Sequence, residues 1–231
     1  VSDAHSLPVF LYAKSAQYPS RVRLPDIRKG EYEGLQKKLD SPDWKPDFGP
    51  AKFQPTMGAT ATGARNFLIA YNVNLNTADK SKANLIASKI RTSGMIVKDE
   101  NGEIVRDKTG TALRTPGMFE KLQAAGWMYN ESTAQVSMNL LDYSVTGLHD
   151  VTETIKLEAS KLGLEAVAGE LVGLVPLQAI MDAGNYYTNT NIQDVDTLVG
   201  NAIEGLMLDR LESFDPYGNI IEWAIERKKN E

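Results

Sequence analysis

Apolar and polar positions repeat along this chain with two different periods, and each change of period marks an element. Residues 7–12 (LPVFLY) form the unbroken apolar run of a buried strand. Residues 25–39 (PDIRKGEYEGLQKKL) predict a helix, with Pro25 near its first turn. Residues 67–75 (FLIAYNVNL) alternate as a strand, with Tyr71, Val73 and Leu75 on one face and Asn72 and Asn74 on the other. Helical spacing follows over 79–91, where Ala83, Ile86, Ala87 and Ile90 make one stripe; Thr77 or Asp79 can cap its start and Gly94 suits its end. Strands are predicted at 126–129 and 134–141. In the second, Ala134, Val136, Met138 and Leu140 share a face, and Gln135, Ser137 and Asn139 share the other. A helix over 146–162 carries Leu148, Val151, Ile155, Ala159 and Leu162 and is closed by Gly163. A strand at 164–174 and a helix opened by Pro176 over 176–183 complete the series. The order strand, helix, strand, strand, helix, strand predicts an α+β fold of the split β-α-β type, an antiparallel sheet with helices on one face. Helical spacing returns at 192–211 and 220–227, and the final ERKKNE reads as a frayed end.

Three stretches carry more than periodicity. Residues 49–65 (GPAKFQPTMGATATGAR) consist largely of small and turn-forming residues and run directly into the strand at 67. Glycine lets backbone approach a ligand, and irregular segments feeding a rigid strand often hold sites; a linker has the same composition, so both readings stand. Residues 92–116 are polar and irregular, with Asn101-Gly102 signalling a hairpin; a mobile lid and a surface excursion fit equally. Asn72, Asn74, Gln135, Ser137 and Asn139 form a row of polar side chains. Such a row is ordinarily solvated surface, and alternatively receives a polar, planar heterocycle. No internal repeat or low-complexity tract is evident.

The bulk composition removes several chemistries. There is no cysteine, which excludes disulfides, thiol catalysis and cysteine-type zinc sites and suits a reducing, cytoplasmic setting. A net charge of −5 argues against nucleic-acid binding. No apolar run is long enough to span a bilayer, and the first residues do not form a signal peptide. Neither His5 nor His149 sits in a metal-binding spacing, and GATATGAR lacks the Lys-Ser/Thr pair of a phosphate loop. Between Lys14 and Lys38 the basic residues Arg21, Arg23, Arg28, Lys29, Lys37 and Lys38 outnumber the acids; they form a solvated face or hold an anionic tail.

Read together, LPVFLY, LPDIRKGEYEGLQKKL, PDWKPDFGP, GATATGARNFLIAYNVNL, AQVSMNLLDYSVTGLH and GELVGLVPLQA resemble the glutamate formimidoyltransferases, which include the transferase part of formimidoyltransferase-cyclodeaminases. The likeness runs from about Pro8 to Tyr187. It implies a folate-dependent transferase moving a formimino (or formyl) group between N-formiminoglutamate and tetrahydrofolate in histidine degradation, with a non-catalytic folate-binding or interaction module as the alternative. It also implies two similar α/β subdomains with folate between them. Residues 1–64 correspond to the C-terminal remnant of the first, 65–215 to a β-α-β-β-α-β second subdomain, and 216–231 to a tail. The folate-contacting segment falls on Gly49, Pro50, Ala51, Lys52, Phe53, Gln54, Pro55, Thr56, Met57 and Gly58, and residues 59–65 then carry the chain between subdomains. Arg21 and Arg28 are the expected polyglutamate contacts. The family's general base, a histidine in a His-Pro-Arg-like segment, matches neither His5 nor His149. The expectation is a missing N-terminal segment upstream of Val1, little transferase activity from this chain alone, and no metal. Self-association is left open.

Overall fold

The computed structural model describes residues 2–188 and 194–230 and divides into two compact units, residues 1–66 and 67–231. Residues 192 and 193 of the helix expected at 192–211 lie outside the described residues.

The first unit opens with the short helix α1 (Ser2–His5) and the strand β1 (Val9–Ala13). Helices α2 (Leu24–Arg28) and α3 (Leu35–Leu39) follow, then the strand β2 (Thr60–Ala64). β2 pairs in parallel with β1, Val9 opposite Thr60. Two expectations change here. The single helix predicted over 25–39 is broken in the middle, because Gly30 (φ +91°) and Glu31 (φ +48°) leave the right-handed helical region. The stretch 59–65, expected to carry the chain between subdomains, is largely strand β2. Gly63 is required there, since a β-carbon would sit 2.2 Å from the Tyr12 carbonyl oxygen. Phe10, Ile27, Leu35 and Leu39 form a small core, with Trp44 and Phe53 packed on it.

The second unit contains the predicted sheet. Strands β3 (Ile69–Leu75), β6 (Leu122–Met128), β7 (Ala134–Leu140) and β8 (Ala166–Val172) lie in the order β6-β7-β3-β8, every pair antiparallel. Between β3 and β6 come helix α4 (Lys80–Ile90) and the two-residue strands β4 (Met95–Ile96) and β5 (Arg114–Thr115). Helix α5 (Leu148–Ser160) joins β7 to β8. The α4 stripe Ala83, Ile86, Ala87 and Ile90 and the α5 positions Leu148, Val151, Ile155 and Ala159 are buried with Tyr71, Val73, Leu75, Val136 and Leu140 in one core. That is the predicted β-α-β-β-α-β unit. β6 begins four residues before the expected strand at 126. Asp79 caps α4 by accepting from the Ser81 amide at 2.9 Å.

After β8 come helices α6 (Leu177–Tyr187), α7 (Val195–Gly205), α8 (Pro216–Asn219) and α9 (Ile221–Asn230). Residues 216–231 are expected as a tail with a frayed end, but the described part, 216–230, is tied into this unit instead. Ile220 is buried in the core, the Ile221 amide donates to the Val175 carbonyl at 3.0 Å, and α9 stays helical through Asn230.

Two buried polar arrangements hold the helices to the sheet and to each other. The Tyr71 hydroxyl bonds Thr152 Oγ1 on α5 at 2.9 Å and donates to the Leu206 carbonyl at 3.1 Å; burial pushes its ionisation well up, so it remains neutral. Glu158 of α5 is 2 % exposed and accepts from Lys89 of α4 at 2.6 Å and from Lys161 at 2.5 Å.

The segment expected to be irregular, 92–116, is neither irregular nor free of repetition. VKDENGEI (97–104) and VRDKTGTA (105–112) are two octapeptides of one pattern, followed by Leu113. Backbone bonds run from Val97 N to Leu113 O, from Val105 N to Val97 O, and from Leu113 N to Val105 O, closing a three-cornered ring. The bridges Lys98 to Ile104 and Arg106 to Ala112 form two short arms, and β4 with β5 forms the third, which joins the unit. Asp99 and Asp107 hold equivalent turns through their own carboxylates, with Gly102 and Gly110 at φ +83° and +81°.

The Glu158 bonds to Lys161 and then to Lys89 hold its carboxyl below the usual value of 4.5 despite its burial. A depressed carboxylate stabilises the fold above the unfolded value and loses that contribution as pH falls through the folded one. Urea titrations should therefore show wild-type stability dropping below about pH 4.5. Glu158→Ala should cost about 1.5–3 kcal/mol at pH 7 and flatten that acid limb; an unchanged limb would refute the assignment.

Candidate functional site

Residues 49–58 join the β1 region to β2, and the first unit pins them at both ends. Val9 of β1 donates to the Phe48 carbonyl at 2.9 Å, and Gly49 follows at φ +81°. A β-carbon at Gly49 would lie 2.1 Å from the Leu7 carbonyl oxygen, so both conformation and space demand glycine. Phe53 is half-buried against the small core, with its ring 5.3 Å from that of Tyr32. The Tyr32 hydroxyl donates to the Pro55 carbonyl. Gln54 takes the amides of Met57 and Gly58 on its carbonyl at 3.2 and 2.7 Å, and Gly58 is buried at φ +66°. Pro50, Ala51, Lys52, Pro55, Thr56 and Met57 stay exposed on this fixed backbone. The loop thus presents a preformed exposed surface with one cation, Lys52.

Arg21 and Arg28 are placed very differently. Arg28 is exposed, pairs with Glu31 at 3.2 Å, and borders a cavity of about 190 Å³ lined by Leu24, Pro25, Lys29 and Glu31. Arg21 is 1 % exposed. Its guanidinium bonds Asp47 at 2.9 Å and the carbonyls of Lys45 and Asp43 at 2.7 and 3.2 Å, among the rings of Tyr18, Phe10 and Trp44. Asp47 also accepts the Leu11 amide of β1 at 2.8 Å. Arg21 is therefore an internal strut, and its expected contact with an anionic tail is corrected: the charge is consumed inside the unit. Lys38, from the same basic stretch, is likewise engaged, with its ammonium over the Trp44 ring and bonded to the Ile27 carbonyl.

The amide row on the sheet also departs from its ordinary reading. Strand pairing sets Gln135 beside Asn74, and Ser137 beside Asn72 with Glu170 on the far side of Asn72. Asn72, Asn74 and Gln135 are buried, whereas Ser137 and Asn139 are half-buried. Gln135 Nε2 donates to Asn74 Oδ1 at 2.9 Å and to Glu170 Oε2 at 2.8 Å; Asn72 Nδ2 donates to the same Glu170 oxygen at 2.9 Å. The side chains form a fixed network because each amide finds its partner across the strands. The amides are visible in the sequence, whereas Glu170 is not marked out there. The alternation in GELV places Glu170 on the same face as Asn72 once the strands are paired, but that pairing is not visible in the chain itself.

His149 lies in the helical layer. Its ring stacks on Tyr186 at 4.7 Å, and Nε2 is 3.5 Å from Asp150. Among the described residues no group of three or more acidic or histidine side chains could hold a metal, and no helix is long and apolar enough to cross a membrane.

A family profile described as formiminotransferase domain matches residues 70–226, and one described as formiminotransferase domain, N-terminal subdomain, matches residues 1–65. The chain is 43% identical to rat formimidoyltransferase-cyclodeaminase over 229 residues, 97% of this chain and 39% of that protein. It is 38% identical to glutamate formimidoyltransferase of Streptococcus pyogenes serotype M1 over 82% of this chain and 56% of that one. With the Thermoplasma acidophilum glutamate formimidoyltransferase the identity is 36%, over 88% and 61%. The chain thus spans about two fifths of the length of the cyclodeaminase relatives it matches.

Arg21→Ala should unfold the first unit more readily by about 3–5 kcal/mol, since it leaves Asp47 buried without its cation. Chemical denaturation measures this, and a loss under about 1 kcal/mol would contradict the strut. Gly49→Ala should raise protease sensitivity between residues 49 and 58, because the left-handed backbone must give way; unaltered cleavage kinetics would count against a pinned loop.

Proposed function

The chain belongs to the formiminotransferase domain family, and from that premise we propose that it serves folate-dependent transfer of a formimino group between N-formiminoglutamate and tetrahydrofolate. The observation that carries the reading is agreement along both units with proteins named for that transfer, over nearly the whole chain. The pinned loop supports it physically. A ligand meets a backbone already in place, and little ordering entropy is lost on binding.

In this reading Gly49, Pro50, Ala51, Lys52, Phe53, Gln54, Pro55, Thr56, Met57 and Gly58 form the folate-contacting segment. Gly49 and Gly58 set the backbone. Phe53 and Gln54 anchor it, and the exposed residues with Lys52 offer contacts. Arg28 remains the candidate for the anionic polyglutamate tail, as an exposed guanidinium beside a small cavity with Lys29 alongside.

Transfer needs the tetrahydrofolate amine to attack the formimino carbon, the bond from that carbon to the glutamate nitrogen to break, and a proton to pass from the attacking amine to the departing one. A proton carrier must come within hydrogen-bond reach of those nitrogens. His149 does not suit that task. It packs in the helical layer against Tyr186, on the side of the sheet away from the polar network. His5 lies at the end of α1 in the first unit.

Calorimetric titration of tetrahydrofolate tests the proposal. Saturable binding, weakened by substitutions at Lys52, is the expected result; no binding by the folded protein would overturn it. Arg28→Ala should weaken a polyglutamylated folate roughly three- to tenfold while sparing the monoglutamate. Equal effects on both would remove Arg28 from the tail site.

A further inference from the structure

We propose that Glu170 is the anion that receives the formimino group's positive nitrogen. The inference rests on the transfer reading above and deepens it by naming a substrate-recognition residue in the second unit. Three observations lead to it.

The first is charge. The face of the sheet opposite the helices carries the paired rows Trp127–Gln135–Asn74–Ala168, Ala125–Ser137–Asn72–Glu170 and Gln123–Asn139–Ala70–Val172. Glu170 alone among these positions is charged, and no basic side chain of the described residues pairs with it. The contrast is Glu158 on the helical side, which two lysines neutralise. A partly buried carboxylate with only neutral partners incurs a desolvation cost that a counter-charge would offset.

The second is orientation. The amides of Asn72 and Gln135 both donate to Oε2, which fixes the side chain, while Oε1 has no hydrogen-bond donor among the described residues. One oxygen is used for positioning and the other is left to accept. Both amide donors are themselves buried and held, Gln135 by Asn74 and Asn72 by the Met138 amide at 3.4 Å. The carboxylate is therefore preorganised by side chains whose own partners are settled.

The third is chemical fit. A formimino group on an amine is an amidine, protonated near neutral pH, with N–H donors in one plane. A charge-assisted N–H to carboxylate bond is the natural recognition of such a cation. The amides around Glu170 provide planar polar surface and are themselves uncharged; the Lys80 ammonium lies over the Trp127 ring, 5.1 Å from its centre, in a neighbouring row. A neutral formyl group of the same shape would present a carbonyl oxygen instead and would meet the carboxylate unfavourably.

The experiment compares N-formiminoglutamate with its isostere N-formylglutamate, uncharged at the transferred group, titrated calorimetrically into the intact protein, with tetrahydrofolate as a parallel ligand. Wild type should bind the formimino compound roughly ten- to a hundredfold more tightly than the formyl one. Glu170→Gln should erase that preference while leaving tetrahydrofolate affinity unchanged. Equal affinities in wild type overturn the proposal without any variant being made. So does a Glu170→Gln protein that keeps the preference, or one that loses tetrahydrofolate instead. If wild type binds neither tetrahydrofolate nor N-formiminoglutamate, the transfer reading fails and this inference with it. Binding of both without charge discrimination removes only the role of Glu170.

Discussion

Strand β3 is the constraint on which the second unit depends. Its odd positions Tyr71, Val73 and Leu75 are fully buried against the two helices, and its even positions Asn72 and Asn74 enter the polar network on the other face. A shift of one residue in its pairing would carry the amides into the apolar core and the tyrosine out of it. The two neighbours enforce the register differently. β7 pairs along all seven residues, whereas β8 changes register between Asn74 and Leu75. Tyr71 adds a further restraint, because its hydroxyl must reach Thr152 and the Leu206 carbonyl together. Core, helix placement and the position of Glu170 follow from that one alignment.

The first unit has a much smaller apolar core and relies on one ion pair. Arg21 reaches the carbonyls of Asp43 and Lys45, and Asp47 reaches the β1 amide of Leu11. A short segment with a single 3-10 turn (Pro42–Trp44) is thereby fastened to a strand. The exposed loop that follows inherits its fixed starting point from this arrangement. Whether a basic residue is available to a ligand is decided here by its packing. Arg21 and Arg28 are alike in sequence context, yet aromatic rings enclose the first and solvent surrounds the second.

Much of the second unit was legible in the chain. The alternation in IAYNVNL and AQVSMNL and the stripes of α4 and α5 are local signals, and local signals suffice when helices cover one face of a sheet. The helix expected at 25–39 starts where Pro25 suggests, but Gly30 and Glu31 take positive φ and end it early. The polar row read as surface because its partners come from different strands: Gln135 meets Asn74 across 61 residues and Glu170 across 35. The loop at 49–58 stands out by its composition, but which of its residues anchor and which stay exposed depends on contacts with Leu7, Val9 and Tyr32, far away in the chain. The octapeptide pattern was there to be read, but two copies of eight residues fall well below the length at which repeats usually announce themselves.

That small pattern has a consequence for how the chain can vary. Val97, Val105 and Leu113 each give one backbone bond to a neighbouring corner and take one from the other. Take away one octapeptide and two corners remain, giving and taking with each other, which is the ordinary hydrogen-bonded pair of an antiparallel hairpin. β4 and β5 would still meet at Met95 and Thr115. The arm can therefore shorten in a step of eight residues with its root intact, whereas a loss of three or five would leave corners without partners. Length in this part of the protein is quantised.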